Sequence, residues 1–545
     1  MIDLKTLLKF PAKHFSLSKW ESITLLAILI VFAKIASFFL LVVPGSQDEA
    51  EFVNALRTNM LPHGPHYVHY ALGRFFSLFC DHALALSLVG LLSGIFVILY
   101  LYLIVRDIID DRPIYKNIAA ISAVCLFLCS LSFLQQSGGQ EVRLTQLWFT
   151  LASLFYILRR KLVLAGTAAG LAFCTHYAEV FFFFTFLYAI IFNSPKTQIK
   201  NVLQFGASSL LIVGIIFLGF GLFINIPPTS NLNFLGMYKE YLNGPPGPEI
   251  TQIITHPLST FKNLLLHLWT HRKHYQSAMD YTFDIVSIGY FCALINLIFI
   301  TKKQLLWAIY GLSYFWLFES LIGQAMLKMN PRIYTVYLAP ALCISITLTF
   351  HHYCRKFIKS DVKRVVAWCI GIVLILQQSR GMEIWDRQYN WSKIISDYYS
   401  KDIVALMYAD LVLPENDYIV TPHDASYNKM RNFVAKHSYI HTVGDYLEVF
   451  DELHNGAVFQ IQDLMNYKAD KARINSLILS RNVYALNKES LSKVVGYDTH
   501  LYIYEPIVIK FDRDMFQKHC HQPRYINAMS LPQEITIYRI SIPQS

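Results

Sequence analysis

Apolar runs of membrane-spanning length recur along this chain, and no other feature of the sequence restricts its fold so severely. A helix needs about 20 predominantly apolar residues to cross hydrocarbon, and lipid offers no partner to an open backbone amide or carbonyl. The first run, Ile23 to Val43, contains one charge, Lys34. Further runs fall near 84–105, 117–135, 145–158, 162–176, 178–193, 203–225, 283–300, 304–322, 333–351 and 364–378. Together they predict an α-helical polytopic membrane protein with about eleven crossings. Composition agrees: of 545 residues 54% are hydrophobic and only 15% charged, too apolar for a soluble protein of this size. Lys5, Lys9, Lys13 and Lys19 precede the first run without a small-residue cleavage site, so the run reads as a retained span rather than a signal peptide.

The net charge of +10 does not point to nucleic acid, because the basic residues are scattered over short loops between the runs. Alternate loops are basic: Arg106 to Lys116, Arg159-Arg160-Lys161, Lys196 to Lys200, Lys302-Lys303 and Arg355 to Arg364. With the N-terminus they all fall on one side, which the positive-inside bias makes cytoplasmic. The nine cysteines form no C-x-x-C pair and lie mostly inside apolar runs, so they read as small core residues.

The long segments then lie outside. They are an outer loop at 44–83, a second at 226–282, and a tail at 381–545 beyond the membrane domain of 1–380. The tail alternates β-like runs (Asp417 to Thr421, Ala457 to Ile461, Asn482 to Leu486, Leu501 to Tyr504) with polar helical stretches such as 461–479. That pattern predicts an extracytoplasmic soluble α/β domain. No internal repeat stands out, which argues against the repeat-built transporter folds.

The first outer loop concentrates the chemistry. Asp48, Glu49 and Glu51 follow the first span directly, and a helix beginning near Gln47 puts Asp48 and Glu51 on one face at i, i+3. Capping of a helix N-terminus is the plainer reading of Asp48. Next comes Leu61-Pro-His63-Gly-Pro-His66-Tyr67-Val-His69-Tyr70, a turn fixed by two prolines, and then an amphipathic stretch from Ala71 to Phe79. Histidine at every third position suggests a metal, but Pro65 interrupts the run and no carboxylate follows at helical spacing. A polar wall of a substrate cleft fits better, and no metal site is assigned.

These residues resemble a known class. Asp-x-x-Glu-Phe after a first span, a His-x-Pro-x-Tyr turn and Leu72-Gly-Arg-Phe-Phe-Ser-Leu78 look like the first outer loop of the GT-C membrane glycosyltransferases. The nearest likeness is to the branch related to protein O-mannosyltransferases. Gln140-Glu141-Val-Arg143-Leu144 resembles that branch's Glu-Val-Tyr-x-Leu, and Gly170-Leu-Ala-Phe-Cys-Thr-His176 its Gly-Leu-Ala-x-x-x-His. More loosely, Pro331-Arg332-Ile-Tyr334 before Pro340 looks like an Arg-Tyr-x-x-Pro segment of the class. His66 and Arg143 depart from the branch's residues, and the tail resembles no known family.

The resemblance implies a GT-C-like fold and transfer of a sugar, mannose-type or related, from a polyprenyl-phosphate donor to a protein, glycan or lipid hydroxyl outside the cytoplasm, with inversion. The setting is a bacterial inner membrane or an endoplasmic reticulum. Polyprenyl phosphate leaves as a stable anion, so the reaction needs a base for the acceptor hydroxyl and cations for the phosphate rather than a strong acid. By resemblance Asp48 is that base, supported by Glu51. Glu49, His63, His66, Tyr67, Glu141 and His176 are candidates for the acceptor side, although His176 also fits a satisfied core histidine. Arg143, Arg272, Lys273 and Arg332 are candidates for the donor phosphate, although Glu141 with Arg143 also fits an interfacial ion pair and the basic run at 271–274 fits snorkelling anchors. The resemblance fixes no cofactor; it leaves room for a divalent cation, which no residue pattern here indicates. The rivals are a transporter or lipid flippase, and a scaffold whose tail does the work. Charges gathered at the outer mouths rather than deep in the spans disfavour the former.

Overall fold

The computed structural model describes residues 17–37, 40, 52–53, 55–56, 66–128, 130–176, 179, 182–193, 198–223, 305–307, 309–310 and 331–378. In the tail it describes 408–409, 411–414, 417–421, 438–443, 446–450, 468–469, 478–480, 482–485, 502–515 and 533–543. The expected spans at 283–300 and most of 304–322 lie outside the described residues, as do Asp48, Glu49, Glu51, His63, Arg272 and Lys273.

The described helices are α1 Lys19–Ala36, α2 Tyr67–Ser77, α3 His82–Ile108, α4 Pro113–Leu128, α5 Leu131–Gly138 and α6 Arg143–Leu158. They continue as α7 Leu162–Thr175, α8 Phe183–Asn193, α9 Gln198–Phe223, α10 Pro331–Phe357 and α11 Asp361–Gln378. Their starts follow local chemistry. Ser18 and Glu21 form a reciprocal capping box for α1, and the Asp81 side chain accepts from Leu84 N–H to begin α3. By length and composition two of them, His82–Ile108 and Gln198–Gly219, suffice to cross a membrane, and three shorter apolar helices accompany them.

One expected span is corrected. The run at 117–135 is two helices, because Ser130 ends the first run and its side chain caps α5 at Phe133 N–H. An apolar stretch has no outward sign of such a break beyond one serine.

The bundle closes around α3, which packs against α1, α2, α4, α5 and α6. Its core includes Leu101, Tyr102, Leu103, Ile104, Leu151, Phe155, Trp307 and Tyr337. At one end of the bundle the charged loops meet. Glu21 pairs with Arg106 at 2.6 Å, Asp107 with Arg159 at 2.7 Å, and Arg364 with Asp111 at 3.4 Å. Arg112 pairs with Asp361, which also accepts from the Tyr115 hydroxyl at 2.9 Å. Burial raises the affinity of the Glu21 carboxyl for its proton, but Arg106 and the Ser18 cap outweigh it and hold the group below its ordinary range. Between α6 and α7, Arg160 takes the left-handed conformation, φ 57°, in a Schellman turn. There Arg160 N–H donates to Ile157 O and Lys161 N–H to Tyr156 O.

The tail forms a mixed seven-stranded sheet in the order β4-β3-β2-β1-β5-β7-β6. Its strands are β1 Tyr418–Thr421, β2 Ser438–Val443, β3 Tyr446–Phe450, β4 Lys468–Ala469, β5 Val483–Ala485, β6 Ile503–Lys510 and β7 Glu534–Ser541. β1 runs parallel to β2 and β5, and the other pairs are antiparallel. Three expected strands fall on β1, β5 and β6. The run at Ala457 to Ile461 lies outside the described residues, and β2, β3, β4 and β7 were not anticipated; β4 corrects the helical reading of 461–479, because Lys468–Ala469 pairs with β3. In β7 the alternation of buried Ile535 and Ile537 with exposed neighbours is that of a strand with one covered face. β6 carries Pro506 and sits at the sheet edge, where a missing donor is tolerated.

Candidate active site

Three segments separated in sequence meet at the start of α2. His66, at the N-cap of α2, donates from Nδ1 to the Thr175 carbonyl at 2.8 Å. Its ring stacks on His176, centroids 5.1 Å apart, where α7 ends in extended backbone. Phe52, which follows Glu51 in sequence, lies edge-on to His66 at 5.2 Å and to His69 at 5.4 Å. The structure thus brings together His66 and His176, two residues that sequence reasoning placed on one wall.

Glu141 and Arg143 form a buried ion pair with each other at the N-terminus of α6. Val142 between them packs with Phe52, Val53, Ala55, Leu56, Tyr70, Ala83 and Leu86 in one apolar cluster. Arg74 reinforces this junction by donating to the Leu56 carbonyl at 2.7 Å. The pair is therefore held against the same first-loop segment as the histidines. The two side chains do form an ion pair, and both are enclosed by protein, Glu141 at 6% and Arg143 at 7% exposure. Tyr67 is buried against Phe217 of α9, ring centroids 4.8 Å apart, and burial pushes its hydroxyl up to about 12. Arg332 lies in the first turn of α10.

His69, read from sequence as part of the polar histidine wall but given no role of its own, joins these parts. It is fully buried, with Nε2 3.1 Å from the Gln140 carbonyl and Nδ1 3.0 Å from Thr145 Oγ1. A carbonyl only accepts, so Nε2 carries the proton and Nδ1 accepts from the Thr145 hydroxyl. The Ser93 hydroxyl lies 2.9 Å from Thr145 and completes the chain as its donor. Burial drives the ring down to about 4, against a weaker opposing pull from the Gln140 carbonyl, so His69 is neutral at physiological pH. Both nitrogens are engaged, which leaves no lone pair for a metal. Among the described residues no group of three His, Cys, Asp or Glu side chains is arranged to hold a metal ion.

Glu179, missed as a site residue, sits one turn past His176 with only 4% of its surface exposed. Its one sequence signal was a lone carboxylate at the edge of an apolar run, which is costly at membrane depth and tends to mark function.

Residues 63–220 match the family model described as dolichyl-phosphate-mannose-protein mannosyltransferase. That segment holds the His66–Tyr67 turn, Glu141–Arg143 and His176, so the resemblance to the polyprenyl-phosphate-sugar-dependent GT-C class is borne out. Among solved structures, the archaeal oligosaccharyltransferase AglB from Archaeoglobus fulgidus, in complex with an inhibitory peptide and a dolichol-phosphate, is similar at 14% identity and TM-score 0.47. The match covers 77% of this chain and 65% of that one, so the chain spans just under two thirds of AglB. ArnT from Cupriavidus metallidurans in the apo state is similar at 12% identity and TM-score 0.43, over 96% of this chain and 99% of that one. A comparison with curated proteins finds no match.

Proposed function

We propose that this chain is an integral membrane glycosyltransferase. It moves a sugar, mannose-type or related, from a polyprenyl-phosphate donor to an acceptor hydroxyl on the extracytoplasmic side. The observation that carries this reading is the convergence of Phe52, His66, Glu141–Arg143 and His176 at one junction, inside or adjoining the segment that matches the mannosyltransferase family.

In the proposed step Asp48 takes the proton of the acceptor hydroxyl as its oxygen attacks the anomeric carbon. The bond from that carbon to the phosphate oxygen breaks, and polyprenyl phosphate departs as the anion, leaving the sugar inverted. Glu51 and Glu49 orient the acceptor with His63, His66, Tyr67 and His176. Arg332, Arg272 and Lys273 answer the phosphate charge, and Arg143, held by Glu141, adds positive potential to the wall. The full set of about eleven spans, a cytoplasmic N-terminus and an extracytoplasmic tail domain belong to the same proposal. The meeting of Glu21, Arg106, Asp107, Arg159, Asp111 and Arg364 at one bundle end supports a shared side for those loops.

The test is transfer by purified protein from a panel of polyprenyl-phosphate sugars, read as release of the free lipid phosphate. Asp48→Asn should lower turnover roughly 10²–10⁴-fold, the range of general-base catalysis, while donor binding survives. Asparagine caps a helix as well as aspartate does, so a variant that folds, binds donor and turns over normally would leave Asp48 only a capping role. Release of lipid phosphate by no member of the panel would favour the transporter reading.

A further inference from the structure

A second cluster of buried polar groups gathers around Glu179, three residues beyond His176. Glu179 Oε2 accepts from Gln146 Nε2 at 2.9 Å and from the Thr150 hydroxyl at 2.6 Å, while its buried Oε1 has no hydrogen-bond partner among the described residues. The Gln146 amide oxygen accepts from the Tyr337 hydroxyl, and Tyr310 donates to the Tyr337 carbonyl at 2.9 Å. Glu179 N–H donates to the His176 carbonyl at 3.2 Å, closing a turn that places the acid one step from the His66–His176 stack.

This arrangement does not serve stability. A buried carboxyl with one oxygen unsatisfied is costly, and a leucine of similar size would fill the space without that penalty. It does impose a direction. Gln146 gives its amide N–H to Glu179 and its amide oxygen to Tyr337, so the accepting oxygen of Glu179 fixes which way the amide faces. Without an acceptor at 179 the amide is free to turn, and the Tyr337 hydroxyl loses its bond to the Gln146 oxygen. The chain of contacts therefore runs from the turn after His176, through α6, to α10. Arg332 sits five residues before Tyr337, about 7.5 Å along that helix.

We infer that Glu179 is a positioning residue that sets α10, and with it the donor-phosphate end of the site, against the His66–His176 wall. The inference rests on the glycosyltransferase reading, and it adds a residue to which neither the family match nor the sequence assigned a role.

The experiment measures sugar transfer by the full-length protein with a polyprenyl-phosphate sugar that the wild type turns over, normalised to folded protein. Glu179→Leu should lower kcat roughly 10–100-fold, the effect of a misplacement remote from the chemistry, and raise donor KM. Glu179→Gln should rescue most of the loss, because its carbonyl oxygen accepts both donors. Tyr337→Phe, a milder change, should raise donor KM and leave acceptor KM unchanged, and its effect should not add to that of Glu179→Leu. A residue that only stabilised the fold would shift Tm and leave these constants alone. Wild-type kinetics in Glu179→Leu, or a Glu179→Gln as damaging as Glu179→Leu, overturns the inference. Should Glu179→Leu fail to fold, unchanged donor KM in Tyr337→Phe overturns it. Absence of transfer by the wild type rejects the parent reading instead, and with it this one.

Discussion

Helices α3 and α9 carry the strongest membrane-crossing signals among the described residues, and they occupy opposite situations. In the most apolar stretch of α3, 72% of residues are buried inside the protein, whereas in that of α9 only 6% are. α3 is the hub on which five helices pack, and it carries small or polar residues at its contacts. Gly90 meets the Gly139 carbonyl, Gly94 meets Phe32, and Ser93 joins the His69–Thr145 chain. α9 instead presents Leu203, Leu210, Leu211, Ile215 and Leu218 outward. An apolar face of that extent suits lipid better than water. Hydropathy sees one signal in both helices. What separates them is the placement of small residues, since helices in lipid associate by close packing rather than by apolar burial.

α9 is held chiefly by α7, across Gly166-x-x-x-Gly170. A Cβ at Gly166 would lie 2.0 Å from Ser208 Oγ and 2.3 Å from the Phe205 carbonyl, and one at Gly170 would lie 2.7 Å from the Ser209 carbonyl. The largest expected effect is therefore at this seam. Gly166→Leu should destabilise by about 3 kcal/mol or more, because backbone rather than a flexible side chain must move. Thermal unfolding in detergent checks it, and an unchanged Tm would mean that α9 is not seated as described. Next comes Leu101→Ala in α3, at a fully buried position. It should cost about 2–4 kcal/mol through the cavity it leaves. The smallest effect belongs to Leu210→Ala in α9, 73% exposed, which should stay within about 0.5 kcal/mol. Equal losses at 101 and 210 would break the distinction between the two helices.

This contrast shows where sequence reasoning carries. Apolar runs located the helices, because lipid forces every backbone group into an internal bond. They did not reveal that Ser130 splits one run, since Leu131, Phe133 and Leu134 carry the apolar pattern past it. At the site, the motif residues His66, Glu141, Arg143 and His176 were legible because each stands in a short pattern. Glu179 was not, because its meaning lies in partners far along the chain. Gln146 is 33 residues away from it, and Tyr337 is 191 residues from Gln146. His69 was visible as one of three histidines, yet its role follows from a carbonyl and a hydroxyl that no local pattern announces. In the tail, the alternation in β7 was readable in principle, whereas β2 and β3 are short strands whose pairing is set by the sheet.

The turn joining α6 to α7 places an arginine where folding alone would choose glycine. A side chain in the left-handed region costs roughly 1–2 kcal/mol, and the exposed Arg160 side chain makes no described contact that offsets it. Arg160→Gly should therefore make the finished protein more stable. The same exchange removes one of three adjacent cations from a loop whose charge biases how the chain enters the bilayer during synthesis. On the topology proposed above, residue 160 therefore serves an event that is over before the native state exists, the entry of the chain into the bilayer, rather than the stability of the product.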